Sequence, residues 1–277
     1  MSLGAVTRRR LLLALVGTAL CLLPARGSAG PDRMAVVEHP RWKKIFDAYG
    51  VVGTAVVYDL KTDQYEVYDP ERAARKFTPA STFKIPHSLI ALETGVVQDE
   101  RQPVFRWDGT QRDIPDWNRD HTLRTAIKYS VVWVYQEIAR QVGAEREARY
   151  VKGFDYGNGD TSGPVDQFWL GGPLRISAFG QIAFLKKLVG GELPVSERSV
   201  RIVRDILIND AGPTYVLRAK TGADFDAKIG WWVGWVERED NAFFFAVNID
   251  FPEMSNKRQE VTRAILREIG VLPPEGK

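Results

Sequence analysis

Ser81 and Lys84 stand three positions apart at the head of an apolar run, a spacing that suits nucleophilic catalysis. A helix opened by Ser81 brings Lys84 back to the same face one turn later, so an amine meets a hydroxyl. A serine hydroxyl is a poor nucleophile until its proton is taken, and a lysine takes it only when neutral or modified. Phe83, Ile85, Leu89, Ile90, Ala91 and Leu92 surround Lys84 in sequence, which predicts a buried helix whose desolvated lysine shifts toward the neutral amine. Pro86 removes the donor that would bond the carbonyl of Thr82, so the first turn is expected to be irregular. Two further polar groups stand out: Ser130, between two helical stretches, and Lys220-Thr221-Gly222, at the end of a strand. Taken alone, Ser81 and Ser130 read as helix caps, and a Lys-Thr-Gly tripeptide carries little meaning.

The elements that must position these groups follow from pattern. A short helix over 39–50 has proline near its start and glycine after its end. Residues 51–59 and 64–68 read as a hairpin around a turn at 61–63. The Ser81 helix runs to about residue 94, where Gly95 stops it. From there to about 205 the signals are mostly helical, with loops at 102–118 and 155–172. Strands return at 214–221, 229–237 and 242–250, and a last helix spans about 256–269. Ile229 to Val236 and Phe243 to Val247 are apolar on both faces, as in central strands covered on both sides. An antiparallel sheet closed by both termini and flanked by helices is therefore expected, with an all-α lobe over about 95–205 and a cleft between the two.

The first 29 residues read as an address. Arg8, Arg9 and Arg10 precede an apolar stretch from Leu11 to Leu23, and Gly27-Ser28-Ala29 offers small residues for cleavage after Ala29. The stretch is shorter than the roughly 20 residues of a spanning helix, so no stable membrane anchor is expected. A basic leader of the general secretory type and a twin-arginine signal are both compatible with Thr7 to Leu12. Leu20 before Cys21 is too large for a lipoprotein site. The leader holds four arginines and no acid, so its removal takes the net charge from +3 to −1. The sequence pI of 8.9 therefore does not indicate a nucleic-acid-binding surface. Cys21 is the one cysteine and leaves with the leader, which excludes disulfides, a thiol nucleophile and a cysteine zinc site in the mature chain. The full chain is 44% hydrophobic, and the remaining 30–277 suffices for a single domain with a sizeable core.

In order and together, Ser81-x-x-Lys84, Ser130-x-Val132 and Lys220-Thr221-Gly222 resemble the three-motif set of the penicillin-recognising serine enzymes. Val131 and Val132 after Ser130, where the class A pattern has Ser-Asp-Asn, favour the class D β-lactamases, or oxacillinases. Phe77 to Ala80, Trp107-Asp108-Gly109, Tyr156-Gly157-Asn158, Phe168-Trp169-Leu170, Leu174 to Ser177 and Trp231 to Trp235 also look like class D landmarks. Trp107, Tyr156 and Trp231 are read as packing residues.

The resemblance implies a fold, a reaction and a set of roles. The fold would be that of the β-lactamases and penicillin-binding transpeptidases, and the substrate a small β-lactam. Ser81 would form an acyl-enzyme that water hydrolyses, and Lys84 would carry a carbon dioxide adduct, N6-carboxylysine, as general base. Trp169 would hold that carbamate, with Val132 and Leu170 as an apolar lid. Ser130 would relay a proton to the lactam nitrogen, with Lys220 tuning it. Backbone N–H groups of Ser81 and Ala223, just beyond Thr221 and Gly222, would form the oxyanion hole. Arg258, a cation near a helix start where the dipole disfavours it, would bind the substrate carboxylate. The implied outcome is antibiotic resistance from a periplasmic enzyme, monomer or homodimer. A penicillin-binding transpeptidase or carboxypeptidase, or a β-lactam sensor that acylates without turnover, shares these motifs. His39, His87 and His121 adjoin no Gly-x-Ser-x-Gly elbow, and no His-Glu-x-x-His motif, other metal motif or organic cofactor is indicated.

Overall fold

The computed structural model describes residues 35–250 and 256–274, together with Met1. The chain divides into two units, 1–33 and 34–277. The leader expected over 1–29, with Cys21 and the cleavage site, lies outside the described residues apart from Met1. The elements of the second unit in chain order are β1 (Ala35–Glu38), α1 (Lys43–Ala48), β2 (Gly53–Asp59), β3 (Gln64–Tyr68), α2 (Pro70–Ala74) and α3 (Lys84–Glu93). Next come α4 (Leu123–Lys128), α5 (Val132–Val142), α6 (Ala144–Gly153), α7 (Ala178–Gly190) and α8 (Glu197–Ile206). The chain then returns to strands with β4 (Ile208–Gly212), β5 (Tyr215–Asp224), β6 (Ile229–Arg238) and β7 (Asn241–Asp250), and ends in α9 (Lys257–Glu268).

The strands form one sheet in the order β1-β3-β2-β7-β6-β5-β4. Strand β2 lies antiparallel to β7, with Ala55 opposite Val247, so the early hairpin joins the late strands. That junction closes the sheet with segments from both halves of the chain, as the pattern predicts. The sheet is mixed, because β1 pairs with β3 in parallel while the other neighbours run antiparallel. Neither β1 nor β4 is legible in the sequence. Both are short edge strands, β1 exposed at all four positions, so neither carries the alternation that marks a half-buried strand.

The central strands bury both faces. On one face Val56, Trp231, Val233 and Phe244 join the core built around α3, α5 and α7. On the other, Val57, Trp232, Phe245 and Val247 pack against Trp42 and Phe46 and against Val261 and Ile265 of α9. The helix α3 is buried from Lys84 to Leu92 and touches α5, α6 and α8, while α7 lies against β7, β6 and β2. A helix enclosed on every side needs apolar residues all round, which is why Lys84 stands out there. Local signals begin these helices where expected: Thr122 and Thr125 form a capping box on α4, and the Ser177 hydroxyl accepts from the Gly180 N–H at the start of α7.

Candidate active site

The turn that bears Ser81 is a 3-10 helix, Ala80–Phe83, that runs directly into α3. The irregular first turn expected from Pro86 is thus present, and Ala80 before the serine has φ +48°, a left-handed conformation uncommon for alanine. Four tethers hold this turn. The backbones of Phe77 and Ile176 exchange hydrogen bonds of 2.9 and 2.8 Å. Trp231 Nε1 donates to the Thr78 carbonyl at 2.9 Å. Thr82 Oγ1 donates to the Pro79 carbonyl at 2.7 Å and accepts from Gln181 Nε2 at 2.8 Å. The fourth is steric: a Cβ on Gly222 of β5 would lie 2.9 Å from the Pro79 carbonyl oxygen, so only glycine lets the strand approach so closely.

Within this frame Lys84 Nζ donates to Ser81 Oγ at 2.7 Å. Lys84 has no exposed surface, and burial, assisted by the charge of Lys220, holds its ammonium form well below the ordinary lysine range. Its nitrogen lies 5.2 Å from the centre of the Tyr135 ring, and the Tyr135 hydroxyl meets Ser88 Oγ at 2.8 Å. Trp169 is fully buried, stacked on Phe83 at 5.7 Å, and its indole Nε1 has no hydrogen-bond partner among the described residues. A buried indole N–H without an acceptor is costly, so Trp169 is suited to receive an oxygen acceptor from elsewhere.

Across the cleft, Ser130 sits between α4 and α5 with φ +54°, and its hydroxyl accepts from Lys220 Nζ at 3.0 Å. It does not cap α5, whose N-cap is Val131 without a side-chain bond. The positive φ turns the serine toward β5 instead of along the helix axis. Lys220 also donates to the Thr221 carbonyl at 3.0 Å. Burial, with a smaller contribution from the Arg258 charge, lowers its pKa to about 7. Burial likewise lowers the Arg258 guanidinium to about 10.

Ser81, Ser130, Val132, Leu170, Thr221, Gly222, Ala223 and Arg258 line one cleft of about 570 Å³. Residues named from motifs far apart in the chain therefore converge, while Lys84 and Lys220 lie just beneath the surface. Strand β4 pairs with β5 only at Tyr215 to Arg218, so from Lys220 onward β5 has no β4 partner on that edge. Sequence reasoning missed Ile114, Trp117, Gln167 and Phe225 in the cleft wall, and Tyr135 and Gln181 behind it. Their types are ordinary for loops and helix cores, and nothing in their spacing marks them. Tyr156 and Trp231 are buried, and Trp231 acts through its tether to Thr78. Trp107 is half-buried, with its indole bonded to the Thr110 carbonyl. Among the described residues no group of His, Cys, Asp and Glu is arranged to hold a metal, and no helix is long and apolar enough to cross a membrane.

Residues 53–270 match the family model described as the penicillin binding protein transpeptidase domain, which sets the class as a penicillin-recognising serine protein. Within that class the similarity is narrower. Beta-lactamase OXA-48 of Klebsiella pneumoniae is 50% identical over 240 residues, 85% of this chain and 90% of the relative. Beta-lactamase OXA-2 of Salmonella typhimurium is 46% identical over 243 residues, 86% of this chain and 87% of the relative. The crystal structure of FUS-1 (OXA-85), a class D β-lactamase from Fusobacterium nucleatum subsp. polymorphum, superimposes with a TM-score of 0.82 at 38% identity, covering 85% of this chain and all of that one. The chain belongs to the class D β-lactamases.

Proposed function

We propose that the protein hydrolyses the β-lactam ring of penicillin-type antibiotics through an acyl-enzyme on Ser81, as a periplasmic enzyme of antibiotic resistance. The observation that carries this reading is the 2.7 Å bond from a wholly buried, charge-disfavoured Lys84 to Ser81 Oγ. Ser81 Oγ attacks the lactam carbonyl carbon, the C–N bond opens, and the lactam nitrogen needs a proton. The Ser130 hydroxyl, held by Lys220 at 3.0 Å, is placed to deliver it. Lys220 Nζ and Arg258 stand at the cleft, Arg258 charged and Lys220 with its pKa lowered to about 7, so an arriving carboxylate pairs with the guanidinium and favours the protonated form of Lys220. Backbone N–H groups of Ser81 and Ala223 receive the developing oxyanion, and the unpaired stretch of β5 offers a peptide-like substrate an extra strand partner.

The residues around Lys84 suit its carboxylation to N6-carboxylysine. Only a neutral amine adds carbon dioxide, and burial favours that form. Trp169 Nε1 offers a donor without an acceptor of its own, and Val132 and Leu170 line the approach with apolar surface. A carbamate there supplies a base for the serine proton and for the water that ends the acyl-enzyme. No other cofactor is proposed.

The test is intact-mass measurement of the mature protein mixed with a penicillin, in parallel with loss of the lactam. Turnover of many lactams per protein through a transient Ser81 adduct is expected. One persistent adduct without turnover would instead assign a transpeptidase or sensor. Lys84→Ala is expected to abolish deacylation, and added bicarbonate to restore wild-type activity lost at low pH, where protonation removes the reactive amine. Activity indifferent to both would refute the carbamate.

A further inference from the structure

Two ionisable side chains with no part in the proposed reaction lie against the chamber of Lys84. His87 of α3 and Glu147 of α6 are both completely inaccessible to solvent, and His87 Nε2 lies 2.8 Å from Glu147 Oε1. The contact is not aligned as a hydrogen bond: His87 Nδ1 and Nε2 and Glu147 Oε1 and Oε2 are all buried without a hydrogen-bond partner among the described residues. Such a pair is a poor device for stability. Exchanging a buried ion pair for apolar side chains of like volume is often neutral or stabilising. Placement in the first turn of α6 favours the Glu147 carboxylate through the helix dipole but does not explain why a histidine should face it.

Its surroundings supply a reason. His87 follows Lys84 by three residues, on the same face of α3. Its ring lies edge-on to Trp169 at 5.0 Å, tilted against Tyr135 at 5.4 Å, and tilted against Phe83 at 5.4 Å. Tyr135 is the ring facing Lys84 Nζ, and Trp169 carries the indole N–H that lacks an acceptor. The imidazole is thus a wedge against Phe83, Trp169 and Tyr135, the last of which faces Lys84 Nζ. A free imidazole could turn about its last torsion, whereas a carboxylate in contact at 2.8 Å restricts that rotation. Both side chains lie behind the aromatic wall, so their effect on Lys84 is one of position.

We propose that His87 and Glu147 form a positioning pair that sets Trp169 and Tyr135 around Lys84 and so holds the carboxylated lysine. The inference rests on the carbamate reading of Lys84. Neither residue touches the substrate; both act through the aromatic wall.

The test compares wild type, Glu147→Gln and the double variant His87→Leu with Glu147→Met, which replaces the pair by apolar volume. Three quantities are read: thermal midpoint, uptake of isotopically labelled bicarbonate on Lys84 by NMR, and persistence of the acyl-enzyme by mass. The double variant is expected to melt at or above the wild-type temperature. It should need about 10-fold to 100-fold more bicarbonate for half-labelling and accumulate acyl-enzyme, the scale of losing an orienting partner. Glu147→Gln, which keeps the size and the polar contact with the imidazole, is expected to stay within a few-fold of wild type. Wild-type labelling and deacylation in a normally melting double variant would overturn the proposal and reduce the pair to filler. Should the double variant not fold, Glu147→Leu against Glu147→Gln provides the same comparison, and equal labelling by both would overturn it. Absence of label on wild-type Lys84 would refute the carbamate itself, and this proposal with it.

Discussion

Replacing Gly222 by alanine adds one methyl group to the seam between β5 and the turn that carries Ser81. The new Cβ would lie 2.9 Å from the Pro79 carbonyl oxygen, 3.0 Å from Thr82 Cγ2 and 3.3 Å from the Thr82 nitrogen. Two of these three atoms belong to the backbone, so no side-chain rotation relieves the contact. Ordinary contact begins near 3.4 Å, which requires the seam to open by about 0.5 Å. The turn is tied to Gln181, Trp231 and Ile176, and β5 to β6, so the displacement falls between Ser81 and Ala223. Those are the two positions whose N–H groups are proposed to receive the oxyanion. A misplacement approaching 1 Å costs up to about 100-fold in rate, and half of it about 10-fold, so acylation should slow about 10-fold. Overpacking should lower stability by about 1–3 kcal/mol. Gly53→Ala provides the control, because its Cβ would press on the Asn248 carbonyl oxygen, in the seam between β2 and β7. It should destabilise at least as much while the folded fraction acylates normally. Acylation is timed by quenched-flow mass measurement and stability by thermal melting. Wild-type acylation by Gly222→Ala would refute the reasoning that this seam sets the oxyanion geometry.

Two other substitutions report on the cations of the cleft. Lys220 has its folded-state pKa lowered to about 7 from 10.5, so the unfolded chain binds the extra proton between these values and stability rises with pH across that window. The cost of burying Lys220 as an ammonium is full below about pH 7, where folded and unfolded chains both carry the proton, and fades toward pH 10.5. Lys220→Met should therefore inactivate the enzyme yet raise its thermal midpoint most at pH 7 and below, by about 2–4 °C per kcal/mol relieved; a lower midpoint there would contradict the desolvation argument. Arg258→Met should raise KM for carboxylate-bearing β-lactams by about 10-fold or more while changing kcat much less, measured by steady-state hydrolysis, because it removes a charge-assisted contact worth about 1.5–3 kcal/mol. An unchanged KM would remove Arg258 from substrate binding.

Much of the fold is legible along the chain because its signals are local. The runs at 229–237 and 242–250 are apolar on both faces, and the structure places β6 and β7 at nearly those bounds in the middle of the sheet. Gly95, with φ +73°, ends the Ser81 helix where the sequence predicts, just after Thr94. Strands β1 and β4 escaped notice because an edge strand buries no face and so leaves no alternation to read. Ser130 shows the opposite failure of local reasoning: alone it resembles a helix cap, yet its backbone is left-handed and its hydroxyl faces Lys220, 90 residues away.

By itself the sequence determined the chemical types and their order: a serine and a lysine one turn apart, a second serine, and a lysine on a late strand. It also determined that Lys84 lies in an apolar helix, since its neighbours in the chain are apolar. Tertiary structure alone decided which groups meet. The Tyr135 ring facing Lys84, the unpartnered Trp169 indole beside Phe83, the Gly222 seam against Pro79 and the buried His87–Glu147 pair all join segments far apart in the chain. The physical reason is that propensity, periodicity and capping act over one or two turns, whereas distances across a cleft are set by the packing of whole elements.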